Sequence, residues 1–146
     1  TGSKTMKILI CGLPGSGKTT LAKPFADLIG AVHINADEVR KEYDDWDFTD
    51  EGRIRQAQRM RYLADAIVKA GKICVADFIA PTRQSRFEFS ADYVVWMDTI
   101  KAGRFEDTNR IYEPLDLNEY NYHVAEWFND THEKLMEVLK GYSQRD

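Results

Sequence analysis

Eight consecutive residues, Gly12-Leu13-Pro14-Gly15-Ser16-Gly17-Lys18-Thr19, read G-x-x-x-x-G-K-T. That is the spacing of a phosphate-binding loop, or P-loop. Glycines let the backbone turn tightly and aim successive N–H groups at phosphate oxygens. A helix opening at the end of the loop adds its positive pole. The Lys18 ammonium then reaches the β- and γ-phosphates, and the Thr19 hydroxyl is a ligand for Mg²⁺. A glycine-rich turn that binds nothing would leave the lysine and threonine there by chance. The loop therefore predicts a nucleoside triphosphate with Mg²⁺, held by Gly12, Pro14, Gly15, Ser16, Gly17, Lys18, Thr19 and Thr20.

The loop does not name the group that receives a phosphate, because switches, motors and small-molecule kinases share it. In α/β folds the acceptor binds beyond the carboxyl ends of the strands. The second apolar run ends there in Asn35-Ala36-Asp37-Glu38-Val39-Arg40. Asp37 is placed to take a proton from an acceptor hydroxyl or to organise Mg²⁺. Arg40 suits an anionic group of the substrate. The plain alternative is an aspartate at the start of a surface helix, with Glu38 and Arg40 solvated.

These side chains need a frame. Lys7–Cys11 is a short continuous apolar run that stops at the glycine loop, as a strand buried on both faces does. Residues 19–29 read as a helix, with Pro24 predicting a kink or a late start. Further strands are expected at 31–34, 72–76 and 93–97, with a short fifth at 122–124. A long helix is expected over 49–70, capped by Thr49, stopped by Gly71 and turned inward by Ile54, Ala57, Met60, Ala64 and Ile67. Residues 81–89 read as a loop with about one helical turn, and 101–121 as irregular chain. Asp130-Thr131-His132-Glu133 resembles a capping box opening a last helix. Strand and helix alternate without a repeat or linker, which predicts one α/β domain over residues 6–146 around a mostly parallel sheet. Residues 1–5 are expected to lie outside it, with Met6 as the natural start.

The chain has 146 residues, 43% of them hydrophobic, enough for a core. Its net charge of −4 disfavours general coating of a polyanion. Apolar runs fall short of a membrane span, and no secretion signal opens the chain, so a cytoplasmic protein is expected. Cys11 and Cys74 lie in apolar runs and read as reduced core cysteines.

The order of motifs resembles the adenylylsulfate kinase family. Its members carry the loop, then D-G-D-N-V-R, then G-F-S-x-x-D-R-x-x-N-x-R-R, then S-F-I-S-P-x-R and P-Y-E-x-P. This chain carries the loop, Asn35–Arg40, Asp47-Phe48-Thr49 with Arg53, Gln56 and Arg59, Asp77-Phe78-Ile79-Ala80-Pro81-Thr82-Arg83, and Ile111-Tyr112-Glu113-Pro114. The resemblance implies a three-layer P-loop NTPase/kinase fold with a mostly parallel sheet of four to five strands. It implies a kinase that moves the γ-phosphate of ATP, with Mg²⁺, to the 3′-hydroxyl of adenylylsulfate. Lys18 and Asp37 would be catalytic. Asp37, Arg40, Phe48, Arg53, Gln56 and Ile79 would contact the nucleotide acceptor, Phe48 by stacking on its base. The family also often forms dimers. Helix spacing independently puts Arg53 and Gln56 on one face, with Arg55 and Arg59 on another and solvated.

The departures are specific. Asn35 stands for the first acid of D-G-D, Ala80 for a serine that some members phosphorylate, and Asp77 for the first serine of S-F-I-S-P. An aspartate after a buried strand is what many P-loop enzymes use to hold Mg²⁺ through water, so Thr19 and Asp77 are the expected metal pair. Most of the family's basic lid is missing after Asp98, leaving Arg104 or Arg110 as a reduced clamp. Trp46 beside Phe48 could wall a base, whereas Trp96 and Trp127 read as core. His33, His123 and His132 read as structural or surface residues. Two further readings stay open: a kinase for another nucleotide or for a polynucleotide, suggested by Arg53, Arg55, Arg59 and Arg61, and a nucleotide-binding module without catalysis.

Overall fold

The computed structural model describes residues 5–13, 16–100, 112–126 and 130–143. Pro14, Gly15, Arg104, Arg110 and Trp127, all singled out above, lie outside the described residues. The elements in chain order are β1 (Lys7–Gly12), α1 (Lys18–Ile29), β2 (Val32–Asn35), α2 (Ala36–Tyr43), α3 (Asp50–Lys69), β3 (Cys74–Asp77), α4 (Arg83–Phe89), β4 (Tyr93–Met97), β5 (Tyr122–Val124) and α5 (Thr131–Ser143).

The five strands form one sheet in the order β2-β3-β1-β4-β5, and every neighbouring pair is parallel. Successive side chains of a strand point to opposite faces, so each strand feeds two cores. Ile8 and Ile10 of β1, Val75 of β3 and Tyr93, Val95 and Met97 of β4 pack with Leu21 and Phe25 of α1 and Leu135 and Leu139 of α5. Leu9, Cys11, Cys74 and Ala76 face the other way, onto Val39 of α2, Ala57, Met60 and Ala64 of α3, and Phe89 of α4. The result is the expected three-layer α/β fold with a parallel sheet. No helix among the described residues is long and apolar enough to cross a membrane.

Local structure differs from the sequence expectation in three places. Helix α1 runs from Lys18 straight through Pro24, with no late start; Leu21, Ala22, Phe25 and Ala26 around the proline are buried and hold the helix by packing. Residues 83–89 form a seven-residue helix rather than a loop, because Thr82 and Ser85 make a reciprocal capping box. A helix over Ala36–Tyr43 follows β2 directly, capped by the Asn35 side chain. Helix α5 begins with the Asp130 carbonyl accepting from the N–H groups of Glu133 and Lys134. The long helix α3 matches its prediction, with Thr49 accepting from Gly52 N–H and Gly71 at φ 88° beyond its end.

Candidate active site

Parallel pairing brings the carboxyl ends of β1, β2 and β3 side by side. Asp77 stands opposite Ile10 on one flank and Asn35 on the other. Asp77 is almost completely buried. Its Oδ1 accepts from Thr19 Oγ1 at 3.2 Å and from Asn35 Nδ2 at 2.8 Å. Asn35 Nδ2 also donates to Thr19 Oγ1 at 3.1 Å, and His33 Nε2 contacts Asp77 Oδ2. The two expected metal residues, Thr19 and Asp77, are therefore in direct contact across 58 residues of sequence.

The same geometry explains Asn35. Its Oδ1 caps α2 by accepting from Glu38 N–H, while its Nδ2 holds Asp77 and Thr19. An aspartate at this position would set two carboxylates against each other. The carboxylate of this cluster stands on β3, and the Asn35 amide links it to the loop.

Around the loop, backbone and hydroxyl donors remain available for anions. Gly17 is the N-cap of α1 at φ 96°, where no side chain caps the first N–H groups. The Ser16 hydroxyl is buried and has no hydrogen-bond partner among the described residues. Thr99, just after β4, donates to the Ser16 carbonyl at 2.7 Å and pins the loop. A Cβ on Gly12 would lie 2.4 Å from the Met97 carbonyl oxygen, so only glycine passes there. Lys18 Nζ donates to the Leu13 carbonyl at 3.1 Å. Burial lowers the Lys18 pKa, opposed by the negative charges of Asp77 and Asp37. Thr20 is exposed on α1.

These features fit a nucleotide phosphate with Mg²⁺. No cluster of three or more His, Cys, Asp or Glu is poised for a metal among the described residues. Mg²⁺ does not need one, since it keeps several waters and uses one or two carboxylates plus substrate phosphates. A hydroxyl at Thr19 and a carboxylate at Asp77 are that donor set.

Of the expected acceptor residues, Arg40, Phe48 and Arg53 come together and Gln56 reaches the start of α2, but several are already occupied. Asp37 is exposed in the first turn of α2. Arg40 is buried; its Nη1 donates to the carbonyls of Asp45 and Asp47 at 3.0 and 3.1 Å. Arg53 Nε donates to the Phe48 carbonyl at 2.9 Å. The Phe48 ring, half exposed, lies over the guanidinium of Arg40 at 4.3 Å and near that of Arg53 at 5.5 Å. Gln56 is buried and donates to the Ala36 carbonyl, tying α3 to α2. Ile79 is half-buried after β3. Ala80 beside it holds φ +43°, unusual for a residue with a Cβ, and its carbonyl accepts from Arg86 at 2.8 Å.

One expectation about charge is corrected. Arg55 and Arg59 are not simply solvated. Both bind Asp45, Arg55 at 2.8 Å and Arg59 at 2.5 Å, and Arg55 also reaches Asp47 at 3.0 Å. Arg61 pairs with Asp65. Arg55, Arg59 and Arg61 are therefore paired with carboxylates of the chain itself, which lowers the positive charge they present to a polynucleotide backbone. Asp45, Asp47 and His33 were not singled out as site residues. The run Asp44-Asp45-Trp46-Asp47 before four arginines at 53, 55, 59 and 61 was the available signal for the first two. His123 is structural as expected: it stacks on Trp96 and bonds to Asp98. Both cysteines are free and buried.

The adenylylsulphate kinase family model matches residues 4–98. The chain belongs to the adenylylsulphate kinase family. It is 33% identical over 89 residues to a probable adenylyl-sulfate kinase of Aeropyrum pernix, covering 57% of this chain and 49% of that relative. It is 28% identical over 121 residues to a probable adenylyl-sulfate kinase of Bacillus subtilis, covering 79% and 56%. The chain spans about half the length of these curated relatives. In fold it is similar to the Mycobacterium tuberculosis APS kinase CysC solved with AMPPNP and APS, at TM-score 0.76 and 14% identity, covering 94% of this chain and 98% of that one. It is also similar to a sugar kinase from Janibacter sp., at TM-score 0.75 and 21% identity, covering 93% and 95%.

Proposed function

We propose that the chain is an ATP- and Mg²⁺-dependent kinase that transfers the γ-phosphoryl group to the 3′-hydroxyl of adenylylsulfate. The observation that carries this reading is the contact of Thr19 with Asp77 at the mouth of the P-loop, next to Lys18 and α2. When bound, Mg²⁺ neutralises charge on the transferring phosphates. Thr19 and Asp77 would hold it, Asp77 through water. The loop N–H groups, the Ser16 hydroxyl and the Lys18 ammonium hold the donor phosphates. Asp37 accepts the proton of the attacking hydroxyl, and its exposure leaves it open to an incoming substrate. Phe48, braced by Arg40 and Arg53, offers a flat face to a base. Catalysis then rests on holding donor and acceptor in line.

ATP consumption with Mg²⁺ tests this, with and without adenylylsulfate, for the wild type and for Asp37→Ala. Stimulation by adenylylsulfate that disappears in Asp37→Ala is the expected result. ATP binding without stimulation removes adenylylsulfate as acceptor and directs the search to other hydroxyl compounds.

A further inference from the structure

We infer that His33 is a positioning residue for the metal site: it holds Asp77 in the rotamer that presents Oδ1 to Thr19. The inference rests on the reading of Thr19 and Asp77 as the metal pair and adds a residue to it. A carboxylate at the end of a strand can rotate about its terminal torsion, and only one setting serves the loop. The two oxygens of Asp77 have different partners. Oδ1 faces Thr19 and Asn35, whereas Oδ2 faces the imidazole Nε2 of His33. His33 belongs to β2, two residue pairs before the Asn35–Asp77 register and so on the same face of the strand as Asn35, and the strand backbone fixes where its ring can reach. The side chain is mostly buried, at 16% exposure, and Asp77 is at 3%.

The arrangement divides the work. Asn35 and Thr19 occupy the oxygen that faces the nucleotide, and these contacts can be exchanged when an ion and its waters arrive. The contact from His33 lies on the far oxygen and survives that exchange. A partner of this kind orients a metal-holding group and tunes its affinity. His33 touches neither nucleotide nor ion in this scheme, so its effect appears in the divalent-ion requirement and not in nucleotide contacts.

The test is binding of a fluorescent ATP analogue, titrated with Mg²⁺ and repeated in EDTA, for the wild type, His33→Leu, His33→Gln and Asp77→Ala. Thermal melting of each variant accompanies it. His33→Leu is expected to raise the Mg²⁺ concentration for half-maximal enhancement about tenfold or more, with affinity in EDTA unchanged. His33→Gln keeps an N–H donor and is expected to recover part of the loss. The inference is overturned if His33→Leu leaves the Mg²⁺ requirement unchanged while Asp77→Ala raises it. It is equally overturned if His33→Leu weakens binding in EDTA by the same factor, which would mark a general structural role. If Asp77→Ala itself leaves the requirement unchanged, the metal-pair reading fails and the role of His33 falls with it.

Discussion

Arg40 is the sharpest test of how the acceptor wall is built. Its Nη1 donates to two loop carbonyls, Asp45 and Asp47, and its guanidinium lies 4.3 Å from the Phe48 ring centre. Hydrogen bonds from a charged donor contribute roughly 1.5–3 kcal/mol each, and a cation against a half-exposed ring adds about 0.5–1 kcal/mol. Water can reach part of this loop and replaces some of the loss. Arg40→Ala is therefore expected to cost about 3 kcal/mol. For a chain of this size that lowers the melting temperature by roughly 6–12 °C. Arg40→Lys keeps the charge without the planar fork and should recover less than half. The functional consequence follows from the same contacts. If Arg40 acts by bracing Phe48, then Arg40→Ala and Phe48→Ala weaken acceptor binding through one shared cause. The double variant should be little worse than the weaker-binding single one. Urea denaturation and the acceptor KM of the four proteins in the cycle measure both effects. A stability change under about 0.5 kcal/mol, against the ~1.5–3 kcal/mol expected of each bond, would refute the structural reasoning. Acceptor losses that multiply would show that Arg40 touches the acceptor itself.

Three other outcomes are expected. Gly52→Ala tests the same loop from α3. Helix propensity favours alanine by about 1 kcal/mol, but its Cβ would lie 2.3 Å from the Asp47 carbonyl oxygen, and overpacking costs roughly 1–3 kcal/mol or more. The clash wins, so urea denaturation should show a less stable protein; a more stable one would mean the loop moves freely. Hydrogen bonds from Arg55 and then Arg59 hold the Asp45 carboxyl well below the usual carboxylate range, and Thr49, then Arg55, lowers Asp47. A depressed folded pKa contributes stability above the unfolded value of about 3.9 that is lost as pH falls toward the folded one. The melting difference between wild type and Asp45→Asn should thus be constant from pH 6 to 8, by about the same argument, and shrink below about pH 4. Burial pushes the thiols of Cys11 and Cys74 up to about 12, so a disulfide-exchange thiol reagent should find neither in the native protein and both in denaturant.

The strand–loop–helix unit at residues 7–29 was legible because its determinants are contiguous: an apolar run, glycines and a helical stripe. The strands at Tyr93–Met97 and Tyr122–Val124 and the helix over Asp50–Lys69 were legible for the same reason. Helix α4 was missed because its stability comes from one reciprocal cap, Thr82 with Ser85, rather than from a long period. Helix α2 enters the sequence reading only as the plain alternative for Asp37, because its eight residues are mostly charged and only Val39 and Arg40 are buried.

Residue types and local spacing alone marked the phosphate-loop motif and singled out Asp37 and Arg40, whereas Phe48, Arg53, Gln56 and Ile79 became candidates only through the family resemblance. Types and spacing could not determine the partners of those residues. That Asp77 meets Thr19 and Asn35 depends on β3 lying between β1 and β2, which is a property of the sheet. That Arg40 of α2 and Arg53, Arg55 and Arg59 of α3 all bind the 45–48 segment rather than solvent depends on how the turn between the two helices folds back on both of them. A charge in sequence is only a capacity for pairing. Which partner it takes is settled where folding removes water and leaves a carbonyl or carboxylate within reach.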